Sequence, residues 1–417
     1  MLHRVCPTVL MLLALLLPAC SASSPPTATP QPVEIRFVYP STLETAHFEQ
    51  LKREFEAANP GLHVILTRAD PNQAIASAAP SADVAEIDQI PLALLAQSGA
   101  LRPLDPLVKE SPDLELDAFY AGTIDALRWQ GQLWALPSDV DPWVLYYNKD
   151  LFDSKGISYP TNDWTWDDLL DAAERLSEPD ADQPLYGFVS AIDRADFVTF
   201  VYQNGGTLMD NLVDPKAVTF TDPATIEALE WYANLALGYK VMPTPDQLKA
   251  MGGFDAVVDG QRAAMWFGPF SERGGRSSGL PWQFKWGMAV EPGRRQRMTL
   301  ITMRAFVLSQ KTSHPSEAWK WLKFLALHPA NDLDLPALKS AAEAQSLLAG
   351  EPAEHVYVAR ESLKIGHTIP PTTWIDSIGG WLGQALDAVF RGDMSVTQAM
   401  SEAQDKANKL LAQQGSS

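Results

Sequence analysis

The segment from residue 33 to residue 66 constrains the fold most. In VEIRFVY (33–39) Val33, Ile35, Phe37 and Tyr39 alternate with Glu34, Arg36 and Val38, a period of two that predicts a strand. Phe48, Leu51 and Phe55 then recur at helical spacing, and Asn59-Pro60-Gly61 stops that helix. HVIL (63–66) predicts a second strand. A strand, a crossover helix and a returning strand make a βαβ unit, the opening of an α/β sheet. The pattern continues with helices expected at 165–176, 224–237, 316–327 and 395–412, and strands at 263–267, 286–290 and 304–309. Thr165 with Asp168 reads as a capping box, and Ser395 as an N-cap. At 417 residues the chain exceeds one ordinary domain, so two α/β lobes are expected.

The first 32 residues stand apart from this pattern. An apolar run from Val9 to Leu17 is too short to span a bilayer and matches a signal-peptide core. Its ending, Leu17-Pro18-Ala19-Cys20, resembles a bacterial lipobox, in which the cysteine is lipidated after cleavage. SASSPPTATPQP follows, a composition that tethers rather than folds. Residues 1–19 are therefore expected to be a signal peptide and 20–32 a flexible leash, giving an extracytoplasmic protein held to the cell membrane by lipid on Cys20; an ordinary secreted protein is the alternative. Cys6 and Cys20 are the two cysteines, so loss of the leader leaves one and no internal disulfide. A net charge of −19 argues against nucleic acid, whose phosphates require a basic face.

Motifs for covalent or metal chemistry are missing. The seven histidines have no metal-ligand spacing, and there is no P-loop, G-x-G-x-x-G or G-x-S-x-G. No metal and no cofactor are expected. Gly205-Gly206 and Arg391-Gly392-Asp393 read as turns. The stretch LPSDVDPWVLYYNKDLF (136–152) raises the sharper question. On an extended segment Asp139, Asp141 and Trp143 share a face. Paired acids beside rings suit either hydrolysis of a sugar or holding one. A glycosidase pair flanks one bond at about 5–9 Å and comes from separate elements, so neighbours on one strand fit poorly. Asp139 reads as a turn-capping acid after Pro137-Ser138, and Trp143 either as core or as a platform. Trp231, Trp319 and Phe324 read as core. Trp143, Trp266, Phe270 and Trp374 lie at element ends, where rings suit the apolar C–H faces of sugars.

Several segments, in order, resemble the extracellular solute-binding proteins, family 1, of bacterial ABC importers, the group that includes maltose-binding protein. They are FEQLKREFEAANPGLHV, SADVAEIDQIPLALLAQSGALRPLD, GQLWALPSDVDPWVLYYNKDLF with TWDDLLDAAERL, DAVVDGQRAAMWFGPF, LPALKS and GDMSVTQAMSEAQDKANKLL, and together they cover roughly 33–412. The resemblance implies a two-lobed periplasmic-binding-protein fold, type II-like, with ligand held between discontinuous lobes: 33–140 plus 284–330, and 141–283 plus 331–414. It implies a monomeric, non-enzymatic receptor that captures a mono- or short oligosaccharide and delivers it to permease subunits. A secreted glycosidase or lyase, and a receptor for a non-sugar solute, are the alternatives. The matching segments imply ligand roles for Asp141, Asp88, Ser41, Thr42 and Glu44, with Phe270 as a stacking ring in place of the usual tryptophan. Trp143, Trp266, Trp374 and Asp196, the last with its neighbour Asp193, are further candidates; for Trp266 core packing is as good a reading. The strand TLITMRAFVLS departs from the family, which often carries a glycine pair there; Arg304 then either reaches the cleft or faces solvent.

Overall fold

The computed structural model describes Met1 and residues 32–40, 45–77, 81–120, 122–191, 196–211, 215–276, 280–329, 334–343, 351–368 and 375–414. The opening forms as expected. β1 (Val33–Tyr39) and β2 (Leu62–Arg68) pair in parallel across the helix Thr45–Ala58, which buries Phe48, Leu51 and Phe55. β3 (Val84–Asp88) pairs in parallel with the other edge of β1. β4 (Arg128–Trp129) and β5 (Gln132–Leu133) make a small separate hairpin. β6 (Ala135–Asn148) is the longest strand described and contains both Asp139 and Asp141. β7 (Met265–Pro269), β8 (Trp286–Ala289), β9 (Thr299–Leu308), β10 (Leu335–Pro336) and β11 (Gly366–Thr368) complete the set. The main sheet runs β10-β6-β9-β3-β1-β2, with β7 and β8 attached to β6 and β11 to β9.

Two strands carry the chain from one half of the molecule to the other. Residues 135–142 of β6 pair with β9, whereas residues 143–148 pair with β7 and β8. β9 likewise pairs with β11 at Thr299–Ile301 and with β3 at Arg304–Leu308. A third segment passes from the helix Pro315–Leu327 through β10, which pairs with β6 at Asp139 and Val140, to the helix Ala353–Ile365. The result is a mixed α/β, two-lobed architecture.

Two hydrophobic cores follow from this layout. One gathers Phe37, Phe55, Phe306 and Trp321 around β1, β3 and β9. The other gathers Trp166, Phe200, Tyr232 and Phe267 among the helices Trp166–Leu176, Asp196–Gln203, Pro223–Leu237 and Val396–Gln414. β6 divides them by its pleat: Val144 and Tyr146 join the first core, while Trp143, Leu145 and Tyr147 join the second.

The local signals are also realised. Thr165 and Asp168 form a complete capping box, and the Ser395 hydroxyl accepts the Gln398 N–H at 3.2 Å. Thr165→Ala is expected to cost about 1 kcal/mol in urea unfolding, since it strands a helix-terminal N–H. Gly205-Gly206 is a turn: Gly205 has φ +76°, and a Cβ on Gly206 would lie 2.7 Å from the Thr225 hydroxyl. Among the described residues no helix is long and apolar enough to cross a membrane.

Candidate ligand site at the crossover strands

The register of three adjacent strands builds the site. Arg304 on β9 lies directly opposite Asp88 on β3 and directly opposite Asp139 on β6. Two residues earlier on β9, Thr302 lies opposite Asp141. Cross-strand partners, and residues two apart on a strand, share a face, so Asp88, Asp139, Asp141, Thr302 and Arg304 converge on one side of the crossover sheet.

Arg304 organises this face. Its Nε and Nη2 donate to Asp139 Oδ2 at 2.9 and 2.6 Å, and Nη2 also donates to Asp334 Oδ2 at 2.7 Å. Its Nε lies 3.9 Å from Glu86 Oε1, which accepts the Ser138 hydroxyl at 2.6 Å. The guanidinium side chain is only 15% exposed. Burial opposes its charge, but the surrounding carboxylates prevail and hold its pKa well above the ordinary arginine value. This settles two expectations. Arg304 lies inward at the crossover rather than facing solvent. Asp139 is not a turn-capping acid: it sits within β6, past a register irregularity after Pro137, and is held by ion pairing.

Asp141 is buried and accepts the Ser271 backbone N–H at 3.0 Å, from the turn that follows β7. Burial raises its carboxyl pKa, against hydrogen bonds from Ser271 and with the nearby Asp139 charge adding to the rise. The Asp334 carboxyl is pushed well above the carboxylate range, by burial first and then by the charges of Asp141 and Asp139. Asp88 keeps open access to solvent at the end of β3, although protein crowds it closely enough to raise its carboxyl pKa. Crowded yet wet is the condition of a group lining a cleft. Thr302 is exposed beside it.

The rings are placed differently. Trp266 is fully enclosed, stacked on Tyr146 at 5.9 Å and edge-on to Trp282 at 5.1 Å, so it takes the core-packing alternative. The pleat of β7 causes this, since it turns Trp266 away from Met265 and Phe267. Phe270 is also enclosed, with the Arg273 guanidinium 4.0 Å over its ring. Trp143 is packed in the second core, and its carbonyl accepts the Thr299 hydroxyl at 2.8 Å. Asp196 begins the helix Asp196–Gln203 with its side chain buried, close to the equally buried Glu291. Ser41, Thr42, Glu44, Asp193, Trp374 and Cys20 lie outside the described residues.

A cavity of about 870 Å³ opens elsewhere, lined by Phe197, Tyr232, Met242, Leu248, Phe254 and the glycine face of Gly379-Gly380 among others. It contains none of the crossover acids. The acids carry the site assignment, because polar groups converging on one face fix a ligand's orientation and cavity size does not. Among the described residues no group of three or more His, Cys, Asp or Glu is placed to hold a metal ion.

Sequence reading missed Arg304 as the organiser, together with Asp334, Ser271 and Glu86. A lone arginine inside the apolar strand TLITMRAFVL was the available signal. Asp334 and Ser271 carried none.

The family model for bacterial extracellular solute-binding proteins matches residues 39–332. The chain belongs to this family. Among relatives, the mannitol-binding protein of Pseudomonas aeruginosa is 23% identical over 375 residues, covering 80% of this chain and 81% of that protein. The maltotriose-binding protein of Pyrococcus abyssi is 23% identical over 364 residues, covering 82% and 74%. Among solved structures, an ABC substrate-binding protein of Listeria monocytogenes in complex with cycloalternan superposes with a TM-score of 0.77 at 23% identity, covering 92% of this chain and all of that one. These likenesses establish the two-lobed α/β fold. The family is one of binding proteins, named as extracellular.

Proposed function

We propose that the chain is a receptor that captures a carbohydrate, a mono- or short oligosaccharide, between its lobes and delivers it to an ABC importer. The observation that carries this reading is the convergence of Asp88, Asp141 and Thr302 on one face of the crossover strands, beside acids held in place by Arg304. Carboxylates and carbonyls accept hydrogen bonds, and a polyhydroxylated ligand is rich in donors. The relatives that bind mannitol and maltotriose, and the structure holding cycloalternan, support the same ligand class. The lobes are taken as 33–140 plus 284–330 and 141–283 plus 331–414, with β6 as the first crossover. Closure about these crossovers selects the ligand-bound form, which docks on the permease. Lipid on Cys20, followed by the leash to residue 32, keeps the receptor at the membrane.

Hydrolysis fits less well. The crossover acids Asp139 and Asp141 sit two residues apart on one strand, whereas glycosidase carboxyls come from separate elements and stand about 5–9 Å apart around the bond they cleave. Asp141→Asn is expected to weaken carbohydrate binding about tenfold, the loss of one charge-assisted hydrogen bond, with no product formed by either protein. Calorimetry and chromatography of the same incubations check both parts. Product released by the parent chain and lost in the variant would instead assign an enzyme.

A further inference from the structure

Hydrogen bonds and ion pairs tie the crossover segments together at Arg304. From β3, Glu86 holds Ser138 of β6 and faces Arg304 of β9. Arg304 binds Asp139 of β6 and Asp334 of the third crossing segment. Two residues beyond Asp139 on β6, Asp141 takes the Ser271 N–H in the turn after β7. β10 reinforces the third segment by pairing Pro336 with Asp139 and Leu335 with Val140. One guanidinium therefore touches every segment that passes between the lobes among the described residues.

We propose that Arg304 is a positioning residue for closure: by clamping Asp139 and Asp334 on two other crossovers, it sets the angle at which the lobes rest and transmits ligand contact at Asp88 and Asp141 to the hinge. The inference rests on reading β6, β9 and the β10 segment as the hinge of a solute receptor. An arginine suits the role because its planar fork donates to two carboxylates at once, and a lysine ammonium at the same site is a single point. Closure requires these crossovers to change direction, so the clamp is a shared element whose arrangement both lobes feel.

The test uses the full chain without ligand, so its failure leaves the carbohydrate reading standing, and failure of that reading leaves this test intact. Spin labels are placed on Glu110→Cys and Asp182→Cys, exposed positions in opposite lobes, with Cys6→Ser and Cys20→Ser to remove native thiols. Distances are measured by double electron–electron resonance near neutral pH. The parent is expected to give one narrow interlobe distance. Arg304→Lys is expected to roughly double the width, Asp334→Asn to do likewise, and the double variant to add nothing further, as members of one network do. Circular dichroism verifies that each variant is folded; should Arg304→Lys fail to fold, Asp334→Asn decides alone. Variant distributions that overlay the parent in position and width would overturn the proposal.

Discussion

Arg304→Met is expected to cost about 3–5 kcal/mol of folding stability at neutral pH, the usual price of removing one partner from a buried ion cluster. The methionine fills much of the same volume, so the loss is electrostatic rather than a cavity effect. Without the guanidinium, Asp139 and Asp334 face one another, Glu86 and Asp141 with no cation inside the cluster. The penalty should shrink as the pH falls and these acids take up protons. Urea unfolding of parent and variant, at neutral pH and again near pH 4, measures both parts. A loss below about 1 kcal/mol at neutral pH, the scale of an exposed surface pair, would mean that the cluster is hydrated and Arg304 dispensable.

The second large effect concerns Glu291. Its side chain has no exposure to solvent. Burial pushes its carboxyl pKa well above the ordinary value, the Asp196 charge adds to the rise, and the Thr299 hydroxyl opposes it. A raised pKa in the folded state means that the folded chain keeps a proton the unfolded chain has released. Stability therefore falls as the pH rises above the unfolded glutamate pKa, by about 1.4 kcal/mol per pH unit for one such group, until the folded group itself ionises. Glu291→Gln keeps the shape and removes the titration. The variant is expected to be more stable than the parent by about 1–3 kcal/mol near pH 8 and to show a flatter pH dependence above about pH 5. Other raised acids, Asp88, Asp141 and Asp334 among them, are common to both proteins, so the difference isolates Glu291. Parallel stability curves for the two proteins would place Glu291 in a hydrated environment.

The elements were legible in sequence wherever one face of an element is buried and the other wet. Val33–Tyr39 and the helix Thr45–Ala58 show the clean periods that such half-burial imposes. The helices Trp166–Leu176 and Pro315–Leu327 fall within a residue of their expected limits. β6 was harder. Pro137 and Pro142 punctuate a stretch that nonetheless runs as one strand, and Asp139 in such a setting looks like a turn acid until its partner is known. That partner, Arg304, is 165 residues away.

The site was less legible than the fold for the same reason. Asp88 and Asp141 could be picked out because their segments resemble a family, but their arrangement depends on register across three strands. Asp334 and Ser271 reach the site from distant loops with no local pattern. The rings show the opposite difficulty. Trp266 and Phe270 sit near element ends, as platforms do, yet strand pleat and the Arg273 guanidinium enclose them. Position in sequence locates a ring, and packing decides which way it faces.

Holding a carbohydrate in the cleft without changing it is the proposed role of the chain. Isothermal titration of the chain with mannitol, maltotriose, other mono- and oligosaccharides, a peptide and a polyamine tests this most directly. A saturable heat is expected with at least one carbohydrate, weakened by Asp141→Asn, with silence from the peptide and polyamine. Silence across every carbohydrate, with saturable binding of the peptide or the polyamine, would contradict it.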